Sequence, residues 1–305
     1  DNITVDKLVG KMITESGTIL AAFRDGSLDL SEEPPAGEIP QLIASGECQV
    51  TPYLGTYFYV INTKTENEAL KDVRVRKAIS MAIDRQQITD NIKRGGETPA
   101  TGFVHPAVVD SKGDNFREKA GDYYIKPNAQ IEEAKALLAE AGYPNGEGIG
   151  EIEIIYNTLD AHKAIAEAVM EMLKPLGITV KLNNQEWQVF QQTRNDMTYK
   201  DVARHGWIGD YHEAQTFLDM FTSGNINGAN GYASKEYDEL ISKAMTTSGE
   251  ERDNAFYAAE EILMNDAWII PVFYQTRPLL VSERIDNWFM TETGKLWFGE
   301  AIINE

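Results

Sequence analysis

EIEIIYNTLDAHKAIAEAVMEMLKPLGITVKLNNQEWQVFQQTRNDMTYKDVARHGWIGDY, residues 151–211, is the stretch that decides the fold. EIEIIY (151–156) reads as a strand. Ala161 to Leu173 follows with Ile165, Ala168, Val169, Met172 and Leu173 on one helical face. ITVKL (178–182) is the next strand, Trp187 to Thr193 a helix capped near Asn184, and DVARHGW (201–207) a third strand. Strand, helix, strand, helix, strand predicts a parallel α/β layer with ligands at the carboxyl ends of its strands. There the chain carries Arg204, Gly206, Trp207, Gly209 and Asp210. A cation, bare backbone, a large aromatic and an anion in so short a run suit a small zwitterion, because glycine lets a ligand's backbone come close. The competing reading is a strand end whose Arg and Asp are merely solvated.

Upstream, YLGTYFYVIN (53–62) is too aromatic and β-branched to be anything but a long central strand, one able to connect two lobes. Asp72 caps a helix with Val75, Ala78, Ile79, Ala82 and Ile83 on one face. Asp84 with Gln87 opens another, which ends at Gly95–Gly96. Thr98 to Pro106 is a loop, and Ile131 to Ala141 an amphipathic helix stopped by Gly142 and Pro144. Residues 1–54 form a first unit. In it Ile3, Val5 and Leu8 follow a strand-like course, Thr18–Arg24 is a helix closed by Gly26, and LDL (28–30) is a short strand. Glu33–Gly37 is a Pro-rich turn and Ile39–Ala44 a helix. Downstream come helices at Glu213–Phe221, Lys235–Met245 and Arg252–Met264, then two apolar strands, WIIPVFY (268–274) and RPLLVS (277–282), and an aromatic tail.

Composition narrows the function. A chain of 305 residues has room for two lobes, and 42% hydrophobic with 25% charged residues is ordinary for a globular protein. No apolar run is long enough to cross a bilayer. A net charge of −20 argues against nucleic acid or an anionic membrane face as partner. Cys48 is the one cysteine, so no intrachain disulfide forms, and it reads as a small hydrophobe just before a strand. Four scattered histidines, with no HExxH and no paired cysteines, offer no metal site, and no cofactor is expected. There is no GxSxG elbow or Walker lysine loop, and GEGIG (146–150) precedes a strand where a phosphate cradle would follow one. Nothing singles out a catalytic pair among 48 carboxylates, so the chain is read as a binding protein rather than an enzyme.

DVRVRKAISMAIDRQQITDNIKRGGETPATGFVHP (72–106) resembles the helix–loop signature of extracellular solute-binding proteins of the oligopeptide/dipeptide/nickel class, which serve ABC importers. The run from YNTLDAHKAIAEAV (156–169) through NNQEW (183–187) to DVARHGWIGDY is similar to the oligopeptide-binding branch. The likeness extends over nearly the whole chain, including YLGTYFYVINTK (53–64) and PVFYQTRPLLV (271–281). It implies a periplasmic-binding-protein-like α/β fold (type II, cluster C), two lobes with mixed β-sheets flanked by helices. Residues 1–54 and 276–305 would then be part of lobe I, and 55–275 would be lobe II, the family's domain III.

By that resemblance Asp210 receives a peptide's α-ammonium and Trp207 lines a side-chain pocket. Main-chain groups around His205, Gly206 and Trp207 pair with the peptide as an added strand. Arg204, Arg194 and His162 stand where the family has carboxylate-facing cations, and Tyr274 where it has a ligand-contacting tyrosine. From the residues alone, His162 also reads as a surface or capping residue, Arg194 as the partner of nearby acids and Trp207 as core. Enterobacterial relatives join the aromatic strand to the GW strand by a disulfide, and here the matching positions are Gly55 and Ile208. Family members run about two hundred residues longer at the N-terminus, the size of a further domain. The chain is therefore expected to be a fragment that lacks the N-terminal part, its signal or lipid-anchor cysteine included. It would be a monomer or edge-paired dimer, keeping the Asp210 half-site but binding peptides poorly. The expected partners are oligopeptides and the membrane permease subunits of the transporter, with the full-length protein extracytoplasmic and lipid-anchored. Alternatives are another cargo on the same fold (dipeptide, oligosaccharide or metal chelate), a peptide-pheromone receptor and a hydrolase.

Overall fold

The computed structural model describes residues 3–13, 15–32 and 34–304 and contains all three strands expected within 151–211. In chain order the main strands are β1 (Leu30–Ser31), β2 (Cys48–Ile61), β3 (Thr98–Pro99), β4 (Glu151–Asn157), β5 (Thr179–Gln185), β6 (Val202–Ile208) and β7 (Ile269–Val281). They form one sheet in the order β1–β7–β2–β6–β4–β5, with β3 pairing to β7. β4 is parallel to both β5 and β6, as a strand–helix–strand order requires. β2 runs antiparallel to β6 and β7, so the sheet is mixed and the aromatic strand lies near its middle.

Both faces of the sheet are covered, which is why β2 is buried continuously from Leu54 to Ile61. Phe58, Val60, Ala203 and Ile269 pack on one side against Tyr237 and Ile241 of the helix Lys235–Thr246 and Phe256 and Leu263 of the helix Glu250–Asp266. Tyr57, Tyr59, Val202 and Val272 pack on the other against the helices Val73–Met81, Ile131–Glu140 and Asp160–Leu173. At the far ends of β2 and β7 a smaller core gathers Cys48 and Leu280 with Ile19, Leu20 and Leu42. The two long strands thus pass through two packing environments.

Several expectations need correction. Ile3 and Leu8 are exposed and no strand includes them or Val5, because no neighbouring strand lies alongside to take their main-chain groups. The two strands expected at 268–274 and 277–282 are the single strand β7, since pairing to β2 continues on both sides of Gln275. A bulge in β2 between Pro52 and Thr56 absorbs the mismatch, and a second one, in β7 at Val272 beside Pro271, adjoins a residue with no N–H for the ladder. Thr98–Pro99 in the expected loop is a short strand, and Phe116–Ala120 is an additional short helix. Asn184 does not cap the following helix. It still lies in β5 and accepts from Thr158 Oγ1 at 2.9 Å. Glu33 of the Pro-rich turn lies outside the described residues. Among the described residues no helix is long and apolar enough to cross a membrane, and no group of His, Cys, Asp or Glu could hold a metal ion.

Candidate functional site

β6 is held in place from its start. Asp201, fully buried, accepts from Thr65 Oγ1 at 2.7 Å and from the Glu153 N–H at 3.0 Å, tying the strand to β2's exit and to β4. The Asn62 N–H donates to Asp201 O, and eight residues later the Gly209 N–H donates to Leu54 O. Main-chain groups alternate sides along a strand, so Ala203, His205 and Trp207 face β2 with theirs, while Arg204, Gly206 and Ile208 face the β4 side. The ladder to β4 ends at Ile155↔Ala203. Gly206 and Ile208 therefore lie on an open strand edge.

One group on that edge is already engaged. The buried His205 ring receives the Gly206 N–H on Nδ1 at 2.8 Å, and its Nε2 lies 2.9 Å from Asn227 O. Those partners fit a neutral imidazole protonated on Nε2. Burial, with the nearby Arg194 charge, pushes the His205 pKa down to about 3. The Gly206 carbonyl lies 3.1 Å from the same Nδ1, which as an acceptor gives it no hydrogen bond.

Beside this edge lies a cleft of about 320 Å³, walled by Tyr57, His162, Trp187, Arg204, Phe273 and Gln275 among others. Most of its charges cancel. Lys93 Nζ lies 3.3 Å from Glu97, whose carboxylate also takes the Gly95 N–H, and Arg277 pairs with Glu32. Arg204 is different. Its guanidinium sits 5.1 Å over the Tyr57 ring and reaches Asn157 Oδ1 at 3.4 Å, while its buried Nε has no partner among the described residues. Among the described residues no carboxylate pairs with it. Arg194 likewise has only Asn195 Oδ1 at 3.3 Å and the Phe190 ring, and burial beside Arg204 pushes its pKa down to about 10. His162 is buried with Nδ1 3.4 Å from Tyr57 Oη, and burial, then Arg204 and Lys93, lower its pKa to about 2. It is thus a neutral polar group of the cleft rather than a third cation. Arg204 thus lines the cleft while Arg194 stands near it outside the lining, and among the described residues neither has a carboxylate partner.

The remaining expected residues lie apart from the cleft. Asp210 follows the end of β6 and is exposed. Its N–H donates to Thr216 Oγ1 at 3.0 Å, and among the described residues its carboxylate has no partner. Asp219 stands close enough that burial and the Asp210 charge together raise its pKa. Trp207 projects to the opposite face of the sheet, partly buried against the core, with Nε1 unpartnered among the described residues. Tyr274 is buried on that face, its hydroxyl 3.1 Å from both the N–H and the carbonyl of Gly102. Gly55 and Ile208 are cross-strand partners, and a Cβ on Gly55 would stand 2.7 Å from Ile208 Cδ1.

Tyr57, Lys93, Trp187 and Gln275 line the cleft and were not singled out in the sequence. Lys93 closes a π-helix, Ile88–Lys93, a form often found at functional sites. Its irregular hydrogen bonding has no signature in residue type. Tyr57 lies in a strand read for its apolar content, and Gln275 falls in the gap read between two strands.

The chain matches the family model described as bacterial extracellular solute-binding proteins, family 5 Middle, over residues 1–229. It is 35% identical over 289 residues to the dipeptide-binding protein DppE of Bacillus subtilis, covering 93% of this chain and 52% of that one. It is 32% identical over 258 residues to the probable deoxycholate-binding periplasmic protein YgiS of Escherichia coli, covering 83% of this chain and 46% of that one. Among solved structures, Haemophilus influenzae OppA in complex with RPPGFSPFR superposes with a TM-score of 0.82 at 34% identity, covering 95% of this chain and 57% of that one. The chain spans about half the length of the curated relatives it matches.

Proposed function

This chain belongs to the bacterial extracellular solute-binding proteins of family 5, and from that premise we propose that it serves an ABC importer by holding short oligopeptides in extended form. The guest lies on the open edge of β6 as an added strand. Its carboxylate meets Arg204 and Arg194, with the neutral His162 in reach as a hydrogen-bonding group, and its α-ammonium meets Asp210. The guest then runs antiparallel to β6. Arg204 and Asp210 are six positions apart, roughly 20 Å along a strand, which suits a guest of about four or five residues. Within this reading residues 55–275 form the lobe that carries the β6 edge, and 1–54 with 276–305 belong to the opposing one. The partners are permease subunits, and the protein works outside the cytoplasm.

One observation carries the reading: Arg204 stands in a cleft, next to a free strand edge, with no acid of its own among the described residues. Calorimetry with tri- to pentapeptides in free, C-amidated and N-acetylated forms tests it. Amidation should weaken binding to the wild type but not to Arg204→Ala, and acetylation should do the same through Asp210→Ala. Each truncation should cost about 2–5 kcal/mol. Equal affinity for free and amidated peptides would remove Arg204 from the site.

A second reading draws on the apolar lip of the same cleft, where Leu159, Pro34 and Trp187 adjoin Arg204. A bulky apolar monocarboxylate would satisfy the same cation. It is told apart by indifference to Asp210→Ala.

A further inference from the structure

We propose that Gln275 is a specificity-determining residue that hydrogen-bonds the main chain of the guest, an inference resting on the β6 edge being the guest's seat. Gln275 is the residue of β7 that faces the bulge in β2, between the pairs Pro52↔Thr276 and Thr56↔Tyr274. Its side chain crosses β2 at Gly55 toward Gly206 on β6. Its Nε2 lies 2.9 Å from the point where a Cβ on Gly55 would stand, and 3.7 Å from the equivalent point on Gly206. Neither glycine has a positive φ, so the missing side chains serve space rather than backbone conformation. Any larger residue at Gly55 would displace this amide or Ile208.

The amide that arrives there is half-buried in the cleft and makes no side-chain hydrogen bond among the described residues. Water reaches that amide in the free protein, since it is not among the sealed, unpartnered polar atoms of the described residues, and a guest group has to replace that water as its partner. The strand edge shows what that partner is. A guest paired in extended form presents an N–H and a C=O at the level of Gly206. The Gly206 carbonyl can accept the N–H, but the Gly206 N–H is taken by His205 Nδ1. The guest carbonyl therefore lacks a donor from β6, and the Gln275 amide can supply one. Being directed at main chain, this contact reads register and leaves side-chain identity free.

The test is a thioamide scan, since sulfur is the weaker acceptor. One tetrapeptide that binds the wild-type chain is made with each main-chain carbonyl converted in turn to a thiocarbonyl. Affinities are measured for wild type, Gln275→Leu and Gln275→Glu, with circular dichroism and thermal unfolding as checks on folding. In the wild type a single position should lose severalfold. Gln275→Leu should bind the parent peptide about tenfold more weakly, the scale of one buried hydrogen bond, and should be insensitive at that same position. Gln275→Glu, which keeps the shape but has no donor, should lose at least as much. Should folded Gln275→Leu bind the parent within twofold of wild type, or retain the wild-type response at every carbonyl, the assignment is overturned while peptide binding stands. If the wild type binds no peptide, the seat itself is wrong and the assignment goes with it.

Discussion

A single buried carboxylate shows how far the scaffold behind the cleft depends on one side chain. Glu260 is fully buried and accepts the N–H groups of Phe103 and Val104, each at 2.8 Å, together with Tyr123 Oη at 2.8 Å and the Arg117 guanidinium. It fixes the TPATGFVHP loop, and through Gly102 the hydroxyl of Tyr274. Glu260→Leu would leave Arg117 as an unpaired charge with its side chain only 10% exposed. That change should destabilise the protein by about 3–5 kcal/mol. Glu260→Gln should cost less, because its amide oxygen can still take both loop N–H groups. Urea unfolding of the two variants checks the order, and an equal loss would mean that the retained hydrogen bonds to the loop N–H groups contribute nothing once the charge is gone. Little of this was legible in the sequence. Glu260 lies in a helix beside Glu261, and only the fold decides which of the two turns inward.

At the level of elements, the sequence was informative where local pattern and tertiary context agree. The three strands within 151–211, the aromatic β2 and the caps at Asp72 and Asp84 form as their residue types demand, with Asp84 accepting from the Gln87 N–H at 2.8 Å. The failures arise where pairing decides. Ile3, Val5 and Leu8 have strand composition but no strand beside them, and Gln275 with Thr276 resembles a break yet lies within a continuous β7. The site divides the same way: Arg204 and Asp210 are conspicuous residue types, whereas an open edge at Gly206 follows only from where β4 stops. That edge makes a prediction about β6. The amides of His205 and Trp207 face β2 and should exchange slowly with or without guest. The Ile208 amide lies beyond the β4 ladder, should exchange quickly in the free protein, and should slow when peptide is added. Hydrogen exchange followed by NMR reads all three. Slow exchange at Ile208 in the free protein would mean that the edge is not open.

For the molecule as a whole, two electrostatic effects compete as pH falls. The net charge of −20 means that protonating carboxylates relieves self-repulsion, which favours the compact state. Three buried histidines act in the opposite sense. Burial first, and then the neighbouring groups (His212; Arg194 and Arg204; Arg204 and Lys93, respectively), bring His105 to about 4, His205 to about 3 and His162 to about 2. Near neutrality all three are uncharged in folded and unfolded chains alike, so they contribute no pH dependence. Below the unfolded value of about 6.5 the unfolded chain takes up protons that the folded chain refuses, and stability must decline. The decline continues to about pH 4, where His105 begins to protonate in place, and levels off only as His205 and His162 follow. Charge relief from carboxylates belongs mostly below about pH 5, nearer their ordinary values. Between about pH 6.5 and 5 the histidine effect should therefore dominate, and urea midpoints should fall across that window. His162→Gln keeps a neutral hydrogen-bonding group beside Tyr57 and removes one of the three proton sites, so it should flatten the decline by roughly a third. A slope unchanged in that variant would mean that His162 can be protonated in the folded protein, and the region around Arg204 would then carry a third positive charge rather than a neutral group.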